Sequence, residues 1–181
     1  MKVLLCALTG FGNKVLDALI ESQVEIIAVL TRKEPAPFPY YLEENLVDYA
    51  RKKGVSVFEE FSWEEIEKIV RAEKPELLLV ATFDKIIPQV ILNLVPRKIN
   101  LHPSLLPKYK GRKPIEAALE NHETETGLTA HVISGEIDGG EIILQKRLPI
   151  APEDTASVLR KKLAIEAGLM TAKLLKAKLL D

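Results

Sequence analysis

Leu77-Leu78-Leu79-Val80-Ala81 is an uninterrupted apolar run, and beyond a short helix predicted after Pro88 comes Lys98-Ile99-Asn100-Leu101-His102-Pro103. The first stretch reads as a strand covered on both faces, the mark of a parallel sheet between helical layers. The second reads as a neighbouring strand that a proline stops. Outward from this pair the pattern alternates. Val3 to Leu8 is an apolar strand, and Gly10-Phe11-Gly12 leads it into a helix with Val15, Leu16, Leu19 and Ile20 inward. Val24 to Leu30 is a second strand. A helix over Leu42 to Lys53 ends at Gly54, and Val55 to Phe58 forms a short strand. Ser62, with Glu65 three residues on, starts the next helix, which stops before Pro75. Pro114 opens a helix through Glu120, strands follow around Gly127 to Ile133 and Glu141 to Leu148, and a last helix from near Asp154 covers the sheet. Strands alternating with helices through short connections predict an α/β fold: a mostly parallel central sheet with right-handed crossovers, helices on both faces, and an antiparallel strand pair near the C-terminal end.

The chain has 181 residues, 47% hydrophobic and 28% charged, which is enough for one domain with a sizeable core. One domain over residues 1–181 is expected, without internal repeats. The net charge of −1 gives no global footprint for nucleic acid. Cys6 is the only cysteine and sits in an apolar run, so it reads as a buried thiol. Neither an internal disulfide nor a cysteine metal site follows, and a reducing, cytoplasmic setting is expected. Met1 to Leu8 loosely resembles a signal peptide, but its apolar run is short and leads straight into a glycine turn, so a first strand is expected. No run approaches the roughly 20 apolar residues of a membrane span. The long segment Thr31 to Tyr40 holds three prolines and is placed as a loop bordering a pocket.

Asn100 and His102 are two apart on a strand and therefore share a face. An amide donor is thus presented beside a group that moves protons near neutral pH. Asp138, in Ser134-Gly135-Glu136-Ile137-Asp138-Gly139-Gly140, reads either as a simple Asp-Gly turn or as a carboxylate reaching His102, where it would orient the ring and raise its pKa. Asn, His and Asp together suit acyl transfer: a donor for a developing oxyanion, a proton shuttle and a tuning carboxylate. No serine or cysteine nucleophile is evident, so the attacking group would belong to a substrate. Gly10-Phe11-Gly12 is a partial phosphate-loop signal, and a tight strand-to-helix turn explains it equally well. Lys108, Lys110, Arg112 and Lys113 read as a solvated loop or as an anion site. His122 is expected to be exposed. His131, on an alternating strand, faces either core or cleft.

Asn100-Leu101-His102-Pro103-Ser104-Leu105-Leu106-Pro107 followed by Gly111, with Glu136-Ile137-Asp138-Gly139-Gly140 downstream, resembles the folate-dependent formyltransferases. That family includes methionyl-tRNA, glycinamide ribonucleotide and amino-sugar formyltransferases, and the resemblance covers most of the chain. It implies a Rossmann-like fold, 10-formyltetrahydrofolate as formyl donor and no required metal. Asn100 would hydrogen-bond the formyl oxygen, His102 would be the general acid/base, and Asp138 would hold His102. Phe83-Asp84-Lys85-Ile86-Ile87 is similar to the segment that meets the pterin, and Ser134, Gly135, Glu136 and Ile137 to the loop facing it. Ser104, Leu105, Leu106, Pro107 and Arg112 complete the implied folate contacts.

The amine acceptor is implied less directly. Pro103 and His131 are similar to the glycinamide ribonucleotide branch. Gly111-Arg112-Lys113-Pro114 and Glu123-Thr124-Glu125-Thr126-Gly127 are similar to the tRNA and amino-sugar branches. Gly10, Phe11, Gly12, Asn13 and His131 are placed at the acceptor site. A small amine is expected, with an amino sugar nucleotide as one candidate, methionyl-tRNA or glycinamide ribonucleotide as the alternative acceptors, and tRNA disfavoured. A formyltetrahydrofolate hydrolase and a non-catalytic folate- or nucleotide-binding protein are the other readings. Oligomeric state stays open, and no membrane partner is expected.

Overall fold

The computed structural model describes residues 1–34 and 44–176. Among these, seven strands and six helices follow in the order β1 (Lys2–Ala7), α1 (Phe11–Glu21), β2 (Glu25–Leu30), α2 (Leu46–Lys52), β3 (Val57–Phe58), α3 (Trp63–Glu73), β4 (Leu77–Ala81), α4 (Gln89–Leu94), β5 (Arg97–His102), α5 (Pro114–Glu120), β6 (Glu125–Val132), β7 (Ile142–Pro149) and α6 (Ala156–Lys176). The sheet order is β3-β2-β1-β4-β5-β6-β7. The β1, β2, β3, β4 and β5 pairings are parallel, and both β5–β6 and β6–β7 are antiparallel. The predicted antiparallel pair is therefore a three-strand antiparallel edge that includes the strand carrying Asn100 and His102.

Local signals set several boundaries. Ser62 Oγ accepts from Glu65 N at 3.1 Å at the start of α3. Pro114 occupies the first turn of α5. Gly54, just past α2, has φ +73, a left-handed stop that glycine adopts without strain. The predicted start of α2 was too early. Asn45 caps the helix by accepting from Asp48 N at 3.0 Å, so its first helical residue is Leu46. The prolines of the predicted loop, at 35, 37 and 39, lie outside the described residues.

Two apolar layers lie on opposite faces of the sheet. Val3, Leu5, Ala7, Leu77, Leu79, Ala81, Ile99 and Leu101 pack with residues of α1 and α6. The alternate residues Leu4, Cys6, Leu78 and Val80 pack with Ile66 and Val70 of α3 and Ile91 and Leu92 of α4. Burying one such side chain contributes roughly 1.5–3 kcal/mol. A one-residue slip of β5 would drive Asn100 and His102 into the α1/α6 layer, so burial fixes the register. On the α3/α4 face the apolar layer gives way at β5 and β6 to polar residues. Asn100 pairs with His131 and His102 with Thr129, and directly opposed residues point to one face. No helix among the described residues is long and apolar enough to cross a membrane.

Candidate active site

Asn100, His102, Thr129 and His131 form a two-by-two polar patch on this face, crossed by the segments that follow β5 and β6. The patch lies on the flat of the sheet, with only His102 at a strand end. Asp138 arrives from the β6–β7 connection with φ 48, a left-handed conformation that aspartate tolerates better than most residues. Its carboxylate reaches Asn100, His102 and His131. Oδ1 accepts from Asn100 Nδ2 at 3.1 Å and lies 3.3 Å from His131 Nε2. Oδ2 accepts from Gly111 N at 2.8 Å and lies 3.3 Å from His102 Nδ1.

The imidazole tautomers follow from their partners. His131 Nδ1 faces its neighbour's carbonyl, Val132 O, at 2.9 Å and must donate to it. In the neutral ring Nε2 is then an acceptor, and Asn100 Nδ2 donates to it at 3.1 Å. One amide group thus bridges His131 and Asp138. His102 Nε2 donates to Tyr109 O at 2.8 Å, so in the neutral ring the nitrogen free to take a proton is Nδ1, on the Asp138 side.

Burial lowers the pKa of His102, outweighing the Tyr109 carbonyl and the Asp138 charge that both favour imidazolium, while His131 opposes them. The expectation of a raised His102 pKa is therefore corrected. Asp138 pulls in the predicted direction, but desolvation of a side chain only 6% exposed is the larger effect. Burial pushes the Asp138 carboxyl up, and the contacts with His131, Gly111 N–H and the His102 charge overcome that, holding it at about 2. The centre is a fixed carboxylate beside a mostly neutral imidazole and a locked amide. That arrangement suits donation to an oxyanion with proton transfer alongside.

A family profile described as "Formyl transferase" matches residues 1–173. The chain belongs to this family. Among curated relatives, the methionyl-tRNA formyltransferase of Thermotoga maritima is 30% identical over 175 residues, covering 90% of this chain and 54% of that protein. The enzyme of the same name from Dictyoglomus turgidum is 35% identical over 170 residues, covering 91% and 54%. The chain spans about half the length of these relatives. Among solved structures, phosphoribosylglycinamide formyltransferase from Bacillus halodurans has a TM-score of 0.79 at 26% identity, covering 98% of this chain and 95% of that one. Glycinamide ribonucleotide transformylase 1 from Symbiobacterium toebii has a TM-score of 0.82 at 21% identity, covering 99% and 87%, a likeness of fold.

In this chain the remaining predicted residues fall into groups. Phe83 and Ile87 pack against the α3/α4 layer, as does Ile133 just before the facing loop. Ile86 and Ile137 stand out from the two segments, 89% and 74% exposed. Asp84 is tied to Arg32 at 2.6 Å, and Lys85 lies 4.1 Å over the Phe61 ring. In the facing loop Ser134 Oγ donates to Glu136 O at 3.2 Å, spanning Gly135, and Glu136 pairs with Lys110 at 2.8 Å. Ser104, expected beside folate, is fully buried and its hydroxyl donates to Lys108 O at 2.7 Å. Leu106 is buried as well, while Pro107 and Arg112 are exposed.

The acceptor-site expectations find structural duties. Asn13 Oδ1 accepts from Gly10 N at 3.0 Å, and Phe11 is buried in the α1/α6 layer. A Cβ on Gly12 would collide with Leu46 and Ala7, so Gly12 allows α1 to pack closely. His122 is exposed as predicted, and burial pushes the Cys6 thiol up. Among the described residues no metal-binding cluster is present. A 220 Å³ cavity lies behind Tyr109, lined by Leu106, Glu123, Gln145 and Arg147; Asn100, His102 and Asp138 do not line it. The reading of the sequence missed Tyr109, Thr129 and Gln145, and took Gly111 only as a motif residue. Only the alternation of Thr129 with His131 carried a signal for one of them.

Proposed function

We propose that the chain transfers a formyl group from 10-formyltetrahydrofolate to a primary amine. The observation that carries this reading is the Asp138 carboxylate, which holds His102 on one oxygen and Asn100 on the other. The amine nitrogen attacks the formyl carbon, and the carbonyl oxygen becomes an oxyanion. Asn100 donates to that oxygen by giving over one of the hydrogens now directed at His131 and Asp138. As the new C–N bond forms, His102 Nδ1 takes the proton that the attacking nitrogen loses, and the Asp138 carboxylate beside it stabilises the resulting imidazolium. Nδ1 then gives that proton to the folate nitrogen as its bond to carbon breaks. The products are a formamide and tetrahydrofolate.

Two apolar features of the segments expected to hold folate support that part of the reading. Ile86 and Ile137 rise as exposed apolar side chains from segments anchored in one apolar layer through Phe83, Ile87 and Ile133. A flat heterocycle seeks such walls, with backbone groups at its edges.

The acceptor we favour is a small amine, with an amino sugar nucleotide as one candidate. A net charge of −1 supports it, because a polyanionic tRNA is held by basic surface. Likeness to a phosphoribosylglycinamide formyltransferase at 26% identity and a TM-score of 0.79 supports it too. Methionyl-tRNA is the second reading, favoured by relatives at 30–35% identity over nine-tenths of the chain. The test supplies 10-formyltetrahydrofolate with small amines or with charged initiator tRNA and follows tetrahydrofolate release and the mass of one added formyl group. Efficient tRNA formylation with inert small amines would overturn the small-acceptor reading, and folate binding without any turnover would overturn the transferase reading.

A further inference from the structure

Thr129 and Gln145 are directly opposed on β6 and β7, beside His102 on β5, so the three side chains form a row on one face. Thr129 is fully buried and its hydroxyl is used to capacity. It donates to Ser104 O at 2.6 Å and accepts from Leu106 N at 3.2 Å and Gln145 Nε2 at 3.0 Å. Gln145 Nε2 also donates to Leu106 O at 2.8 Å. The segment after β5 is therefore pinned to the sheet through three backbone groups.

The pinning leads back to the imidazole. Ser104 Oγ holds Lys108 O at 2.7 Å, and the next residue, Tyr109, is left-handed at φ 56. Its ring hydroxyl donates to Glu123 at 2.8 Å and its carbonyl accepts from His102 Nε2. A tyrosine in that conformation persists only where its surroundings hold it. We propose that Thr129, oriented by Gln145, is a positioning residue for His102: it fixes the Tyr109 carbonyl against Nε2 and so keeps Nδ1 as the nitrogen that exchanges its proton beside Asp138. The proposal rests on the formyltransferase reading only for its kinetic arm.

The titratable groups facing His102 are Asp138 from the β6–β7 connection and His131 from β6; neither is altered by the test. Thr129→Val keeps shape and removes the hydroxyl, Thr129→Ser keeps the hydroxyl, and Gln145→Leu removes the orienting amide. Histidine side-chain nitrogen NMR reads the His102 tautomer and titration with no substrate present. In wild type and Thr129→Ser, Nε2 carries the proton in the neutral ring. Thr129→Val, with unchanged circular dichroism, shows mixed tautomers and a lower titration midpoint, and Gln145→Leu shows a smaller change in the same direction. With substrates, Thr129→Val lowers kcat about tenfold while KM for folate stays within twofold. A wild-type tautomer and titration in folded Thr129→Val would overturn the proposal. A changed tautomer without turnover in any variant would instead count against the formyltransferase reading alone.

Discussion

Asn100 and His131 face each other across β5 and β6, with the amide nitrogen 3.1 Å from Nε2, and the same nitrogen lies 3.1 Å from Asp138 Oδ1. Two acceptors therefore hold one amide in a single orientation, with both its hydrogens directed. Removing His131 leaves one hydrogen of a half-buried amide without a partner, which costs at most about 1–3 kcal/mol. His131→Leu is predicted to lower kcat roughly 10- to 100-fold by loosening Asn100. Asn100→Ala removes the donor itself and is predicted to cost about 10²- to 10³-fold. Steady-state kinetics on both variants checks the order, and a smaller loss in Asn100→Ala than in His131→Leu would contradict it.

Acid should weaken the fold in two stages. His102 has a lowered pKa in the folded state, so its neutral form contributes stability that is complete above its ordinary value of 6.5. That contribution is lost as pH falls below 6.5 toward the lowered value. Asp138 titrates at about 2 against an ordinary 3.8, so its contribution is complete above 3.8 and fades as pH falls toward 2. Urea midpoints from pH 8 to 3 should fall in wild type from below pH 6.5. His102→Gln should flatten the upper stage and Asp138→Asn the lower one. Unchanged upper-stage slopes in His102→Gln would contradict the assignment.

The sheet was legible because its central strands are continuous apolar runs, as in Leu77 to Ala81, and its helices carry punctuation such as Ser62, Gly54 and Pro114. Asn100 and His102 were legible as polar residues ending an apolar strand, whereas Asp138 read also as an Asp-Gly turn until the family resemblance tied it to His102. The antiparallel β5–β6 pairing was not, because pairing partners are set by tertiary register. Tyr109 was hidden for a different reason: it acts through its carbonyl, a group every residue has, so its side chain carries no trace of the role. Thr129 carried only its alternation with His131 as a signal, and its position opposite His102 gives it meaning. At Gly10 to Asn13 the two readings of the sequence stayed level, and the structure adds packing roles: Asn13 closes the turn and Gly12 lets α1 approach Leu46 and Ala7.

Gly140 is predicted to be intolerant of any side chain. A Cβ there would run into the Val132 carbonyl, a backbone atom that cannot rotate away. Gly140→Ala should destabilise by roughly 1–3 kcal/mol through overpacking. It should also disturb the connection that delivers Asp138. Gly135→Ala, in the same connection, meets open space and serves as the control. Thermal melts of the two variants check this, and equal stability would contradict it.

The most direct test of the account is turnover of 10-formyltetrahydrofolate by wild type and by His102→Gln in the presence of amine acceptors. Wild type is predicted to release tetrahydrofolate in step with formamide formation. His102→Gln, folded and still binding folate, is predicted to lose about 10²- to 10⁴-fold in kcat. Wild-type turnover in folded His102→Gln would contradict the central claim.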